Sequence, residues 1–159
     1  MTEDGKVYGV GKNDRLQLGL EKKMKDERDE ILEIFGLPQV IDGFNEYETN
    51  EESKGDYYNE RIVQISAGKF HSIFLSDKGN VYALGNNRFG QIGFSNFLYK
   101  EAEKPRKIDT GGVKITHISA GHHHNLLIDE EGKLYGFGSD SIGQLLARTE
   151  QNNPGYLNT

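Results

Sequence analysis

The chain has 159 residues, 35% of them hydrophobic, and a net charge of −6 at neutral pH. That charge argues against direct, sequence-independent binding of nucleic acid, and the absence of cysteine excludes a disulfide framework, thiol catalysis and thiolate metal sites. No apolar run approaches a membrane-spanning helix and no basic, apolar leader opens the chain, so the expectation is an intracellular protein with no membrane contact.

The first predicted element is a short strand inside Gly5-Lys6-Val7-Tyr8-Gly9-Val10-Gly11, followed by Leu16-Gln17-Leu18-Gly19. Leu20, Met24, Ile31 and Phe35 then stand at helical spacing with Gly36 and Pro38 as a stop, which predicts a surface helix over Glu21 to Phe35. A short strand, Gln39-Val40-Ile41, is expected after Pro38. From Asp42 to Glu60 seven carboxylates stand against the single Lys54, with Tyr47, Tyr57 and Tyr58 interleaved. This stretch accounts for the whole net charge and predicts a solvated loop.

Beyond it the strands come in order. Ile62-Val63-Gln64-Ile65 leads to Ser66-Ala67-Gly68, and His71–Ser76 and Val81–Leu84 flank the hairpin turn Asp77-Lys78-Gly79-Asn80. Gly79 supplies the positive φ such a turn requires. Gly85, the segment Gly90-Gln91-Ile92-Gly93, and a last short strand after Pro105 (Arg106-Lys107-Ile108) complete the series.

The series then starts again. Val113–Ile118, Ser119-Ala120-Gly121, His124–Ile128, the turn Asp129-Glu130-Glu131-Gly132, Lys133-Leu134-Tyr135 and Gly138 match it element by element. Ile65-Ser66-Ala67-Gly68-Lys69-Phe70-His71-Ser72 lies 53 residues before Ile118-Ser119-Ala120-Gly121-His122-His123-His124-Asn125. Four short strands in a unit of roughly fifty residues is the arithmetic of a β-propeller blade. The predicted fold is therefore all-β, a partial β-propeller of four-stranded blades with one short helical insertion.

The expected boundaries are the second half of a first unit at 3–19, insertions at about 20–36 and 42–60, a second unit at about 61–104, a third at about 105–146, and the start of a further unit at 147–159. The insertions follow from spacing. Gly19 to Pro38 spans 19 residues where Gly93 to Pro105 spans 12, and Pro38 to Ala67 spans 29 against 15 from Pro105 to Ala120.

Chemistry-bearing residues are few. His122-His123-His124 invites a metal reading, but successive strand side chains point to opposite faces and cannot easily converge on one ion. His124 shares the repeat position of His71, so both are expected to be structural and to hydrogen-bond within their blades. Gly9-Val10-Gly11 lacks the third glycine and following helix of a phosphate loop. Ser72 and Ser76 lie near His71 with nothing to mark an activated nucleophile. No catalytic residue, metal site or cofactor is expected. Gly68, His71, Gly79, Gly85, Gly121, His124, Gly132 and Gly138 are assigned to the architecture of the repeat.

In Ser-Ala-Gly-x-x-His-Ser/Asn, in Gly-x-Val-Tyr-x-x-Gly and in Gly90-Gln91-Ile92-Gly93 the chain resembles the regulator of chromosome condensation repeat family, over residues 3 to about 146 apart from the insertions. The resemblance implies a propeller that typically has seven blades. It departs from the family pattern at Val10, Leu84 and Phe137, where Trp is frequent, and at Leu16-Gln17-Leu18-Gly19 and Gly143-Gln144-Leu145-Leu146.

About two and a half repeats do not close a ring. The expectation is a piece of a longer chain or a subunit whose open blade faces are covered by others. The function that the resemblance implies is a protein-interaction scaffold or regulatory module. Alternatives are a guanine-nucleotide exchange factor for a small GTPase and the regulatory fragment of a multidomain ubiquitin ligase or kinase. The implied partners are other proteins, a small GTPase or assembly subunits among them. Glu46, Tyr47, Glu48, Glu51, Glu52, Asp56, Tyr57 and Tyr58 are the candidate partner-binding residues, with carboxylates to steer a basic surface and aromatic rings to anchor it.

Overall fold

The computed structural model describes residues 1–20, 34–41 and 60–145. Nine strands occur in these residues: β1 (Tyr8–Lys12), β2 (Ile34–Val40), β3 (Ile62–Ala67), β4 (His71–Ser76), β5 (Val81–Asn86), β6 (Glu101–Lys107), β7 (Ile115–Ala120), β8 (His124–Asp129) and β9 (Leu134–Gly138). They form three antiparallel sheets, ordered β1-β2, β3-β4-β5-β6 and β7-β8-β9. The middle sheet is a complete four-stranded blade. In the described residues the first sheet has two strands, β1 and β2, and the last has three.

Strands β4 and β5 are buried almost throughout because a neighbouring sheet covers each face. Side chains alternate along a strand, and the two apolar clusters divide accordingly. Phe74, Tyr82 and Leu84 pack with Val7, Ile41 and Ile62 toward the first unit. Ile73, Leu75, Val81 and Ala83 pack with Ile118, Leu127, Tyr135 and Phe137 toward the third. A strand covered on both faces reads as a continuous apolar run, which is the character of Ile73-Phe74-Leu75. Equivalent positions show how burial depends on the neighbour: Ile118 is 4% exposed beneath the second unit, whereas its counterpart Ile65 is 43% exposed.

Two sequence expectations require correction. Ile34 and Phe35, the end of the expected helix, lie in strand β2, where Phe35 pairs with Gly11 and Ile34 with Lys12; residues 21–33 fall outside the described residues. Pro38 is therefore no helix stop, and the strands expected to begin after Pro38 and Pro105 begin before them. Proline forfeits one ladder donor and is tolerated on outer strands and at bulges. Pro105 meets both conditions, since β6 is the outermost strand of its sheet and its register with β5 shifts between Ala83 and Gly85.

Candidate functional site

The residues that sequence reasoning singled out in the repeats converge on the junction between the second and third sheets. His71 opens β4 and is fully buried. Its Nε2 lies 2.8 Å from Oδ1 of Asn125 on β8, in the next sheet. Asn125 Nδ2 in turn donates to the carbonyl of Gln91 at 2.7 Å. The amide thus spends its donor on Gln91 and offers only an acceptor to the imidazole, so the His71 proton resides on Nε2. The expected bond within the blade is a bond between blades.

The same construction recurs one junction earlier. Ser72, at the repeat position of Asn125, donates through Oγ to the carbonyl of Gln17 at 2.7 Å, and Gln17 matches Gln91. Adjacent residues of β4 therefore serve opposite junctions, Ser72 toward the first unit and His71 toward the third.

Nearer the inner strands, Gln64 of β3 donates from Nε2 to the Ile118 carbonyl at 2.9 Å and accepts the Ile118 N–H on Oε1 at 3.1 Å. Ser66 Oγ accepts the Ala120 N–H at 2.9 Å, which gives the serine of the Ser-Ala-Gly motif its purpose. Gly68 is required by packing, because a Cβ there would overlap the His71 ring; Gly121 stands in the same relation to His124.

Burial lowers the His71 pKa to about 4, opposed by the hydrogen bond that the ring donates to Asn125 and assisted by His123 and His124. Nδ1 of His71 is buried with no hydrogen-bond partner among the described residues. A protonated ring would be left with an unpaired buried donor there, so this imidazole is built to remain neutral.

A second buried polar pair was missed in the sequence. Glu60, counted with the solvated acidic stretch, is only 7% exposed. It accepts Asn80 Nδ2 at 2.6 Å and the Tyr82 hydroxyl at 3.1 Å. Burial, then the Glu60 charge and this bond, push the Tyr82 pKa up. In the third unit Tyr135 donates to Asp129 Oδ2 at 2.8 Å, while Asp129 Oδ1 accepts the N–H groups of Glu131 and Lys133. The second unit has Ser76 at the position of Asp129, and Glu60 reaches in to supply the missing carboxylate. The available signal was that exchange of acid for serine under a retained tyrosine.

Gly79 and Gly132 hold φ of 80° and 81° in their hairpin turns, as expected, and Gly85, one residue before the end of β5, and Gly138, the last residue of β9, also hold positive φ. The Gly-Gln motif also has a departure with a visible cost: Leu16 holds φ of 61° where Gly90 and Gly143 stand in the other units. His122 and His123 occupy the β7–β8 turn, outside the strands, and His124 begins β8. The eight candidate partner-binding residues, from Glu46 to Tyr58, lie outside the described residues. Strand direction fixes where that stretch attaches, since Ile41 and Glu60 stand at the end of the sheets that carries the Gly79 and Gly132 turns.

The regulator of chromosome condensation (RCC1) repeat model matches residues 4–75 and 78–128, and a second model of the same description matches 62–91 and 115–144. The human RCC1-like G exchanging factor-like protein is 28% identical over 145 residues, covering 87% of this chain and 28% of the relative. The Xenopus laevis protein RCC2 homolog is 31% identical over 145 residues, covering 91% and 24%. The chain thus spans about a quarter of the length of these relatives. Among solved structures, yeast RCC1 (Prp20), crystallised bound to Kap60, superposes with a TM-score of 0.74 at 21% identity, covering 99% of this chain and 34% of that one.

Proposed function

Because the chain belongs to the regulator of chromosome condensation (RCC1) repeat family, we propose that it is a protein-interaction and regulatory module that holds rigidly spaced turns against protein partners. The observation that carries this reading is the division of labour among its polar side chains. His71, Asn125, Gln64 and Ser66 are engaged in fastening one unit to the next, while large side chains such as Phe89 at the turns remain exposed. A scaffold fastened in this way fixes the spacing between neighbouring turns, which lowers the ordering cost of binding.

The acidic stretch supplies a second contact surface in this reading, through Glu46, Tyr47, Glu48, Glu51, Glu52, Asp56, Tyr57 and Tyr58. Pull-down from native extract with the intact chain and with residues 46–58 deleted, at low and high salt, tests both parts. Partner recovery should fall with the deletion and with salt. Failure to recover any partner with the intact chain would overturn the module reading.

The likeness to a relative named as G exchanging factor-like supports a second reading, nucleotide exchange on a small GTPase. A nucleotide-release assay distinguishes the two: accelerated release supports exchange, and partner capture without acceleration supports the scaffold.

A further inference from the structure

The turns β3–β4, β5–β6 and β7–β8 open at one end of the sheets, opposite the hairpin glycines, and gather side chains outside the hydrogen-bonded core of the junctions. His123 lies between two aromatic rings, with centroids 4.9 Å from Phe89 and 6.1 Å from Phe70. The His122 ring meets His123 edge-on at 4.6 Å. Lys69 N–H donates to the His122 carbonyl at 3.1 Å, tying the turns of neighbouring units together. The Lys69 ammonium sits 5.0 Å from the Phe70 ring centre. Lys69, Arg88, Phe89 and His122 are exposed.

The fold does not demand these residues. Phe89 occupies the repeat position of Arg15 and Ile142, and Arg88 that of Asp14 and Ser141. The segments Gly68–Phe70, Asn87–Gly90 and Gly121–His123 contain no carboxylate. Neither Lys69 nor Arg88 forms an ion pair among the described residues. A cluster of rings that exposes Phe89, with Lys69 against Phe70 and the exposed Arg88 adjoining Phe89 in its turn, both without an ion pair among the described residues, is complementary to an anionic segment that also carries an apolar group.

We propose that this patch binds an acidic protein segment with an aromatic or aliphatic side chain among its carboxylates. The apolar group packs on Phe89 and His123, and the carboxylates pair with Lys69 and Arg88. This proposal rests on the interaction-module reading and names the chemistry of one partner surface.

Fluorescence anisotropy of a labelled Glu-Glu-Phe-Asp-Glu peptide, titrated with the intact chain, tests it. The double variant Lys69→Glu with Arg88→Glu should weaken binding by about tenfold or more and remove its salt dependence. Phe89→Ala should weaken binding while leaving the salt dependence in place. All three positions are exposed, and circular dichroism melts confirm that the variants fold. Unchanged affinity in both variants, equal affinity for a lysine-for-glutamate peptide, or no saturation by about 1 mM chain would overturn the proposal. Self-association of the chain abolished by the double variant would identify a second copy as the occupant and would also overturn it. Partner recovery undiminished in the double variant would remove this site yet leave the module reading standing. A chain that binds the peptide but recovers no partner would do the reverse.

Discussion

At the scale of single residues, identical backbone conformations differ in what surrounds them. Gly79 and Gly132 share a left-handed φ, but a Cβ at Gly79 would lie 3.0 Å from Lys114 Cβ and 3.2 Å from the backbone of Ile115, whereas a Cβ at Gly132 meets nothing within 4 Å. Gly132→Ala should therefore cost only the conformational penalty, about 1 kcal/mol, and Gly79→Ala measurably more. Chemical denaturation of the two variants checks this, with equal losses counting against it. Asn125 invites a sharper comparison. Asn125→Ala strands the His71 Nε2–H in a buried site and loses the bond to Gln91, a cost of about 2–4 kcal/mol. Asn125→Ser should recover about 1 kcal/mol of it, because Ser72 already makes the corresponding bond to Gln17. A serine variant no more stable than the alanine variant would refute the equivalence of the two junctions.

At the scale of strands and turns, the two tyrosine–carboxylate pairs differ in redundancy. Asp129 keeps two backbone N–H donors when the Tyr135 hydroxyl is removed, while Glu60 keeps the Asn80 amide among the described residues. Tyr82→Phe should accordingly cost about 1–2 kcal/mol and Tyr135→Phe less than about 1, as measured by thermal unfolding. This scale also shows what was legible in the sequence. The hairpin turns and their glycines were readable because a turn is specified by neighbouring residues. The start of the strand Ile34–Val40 was not, although its end was expected at Gln39 and Val40, because spaced apolar residues from Leu20 to Phe35 fit a helical stripe and a proline resembles a stop. Glu60 groups by charge with its neighbours in the sequence, although its partners Asn80 and Tyr82 are some twenty residues away. Nor does the repeat itself reveal that His71 serves the next unit. Periodicity identifies which positions are equivalent, whereas the face a side chain takes depends on strand parity and on what lies across the junction.

For the whole molecule, the buried imidazole makes stability depend on pH. An unfolded chain protonates His71 near its ordinary value of 6.5, and the folded chain only near 4. The unfolded state therefore binds more protons between these values, and stability falls as pH drops through that window, being complete above it. The span of about 2.5 pH units corresponds to a maximum of about 3 kcal/mol. Urea titrations at pH 7 and pH 4.5 should show the loss in the native chain and a much smaller one in His71→Gln. Because the hydrogen-bond partner of this ring, Asn125, belongs to the third unit, its proton affinity records whether two blades are in contact. Water entering that crevice would restore an ordinary imidazole, which near pH 5 captures a proton and then resists being enclosed again. Mild acid would act on such an array as a wedge, parting it at the seam while leaving each sheet intact, and the NMR titration of His71 would report the separation as it happens.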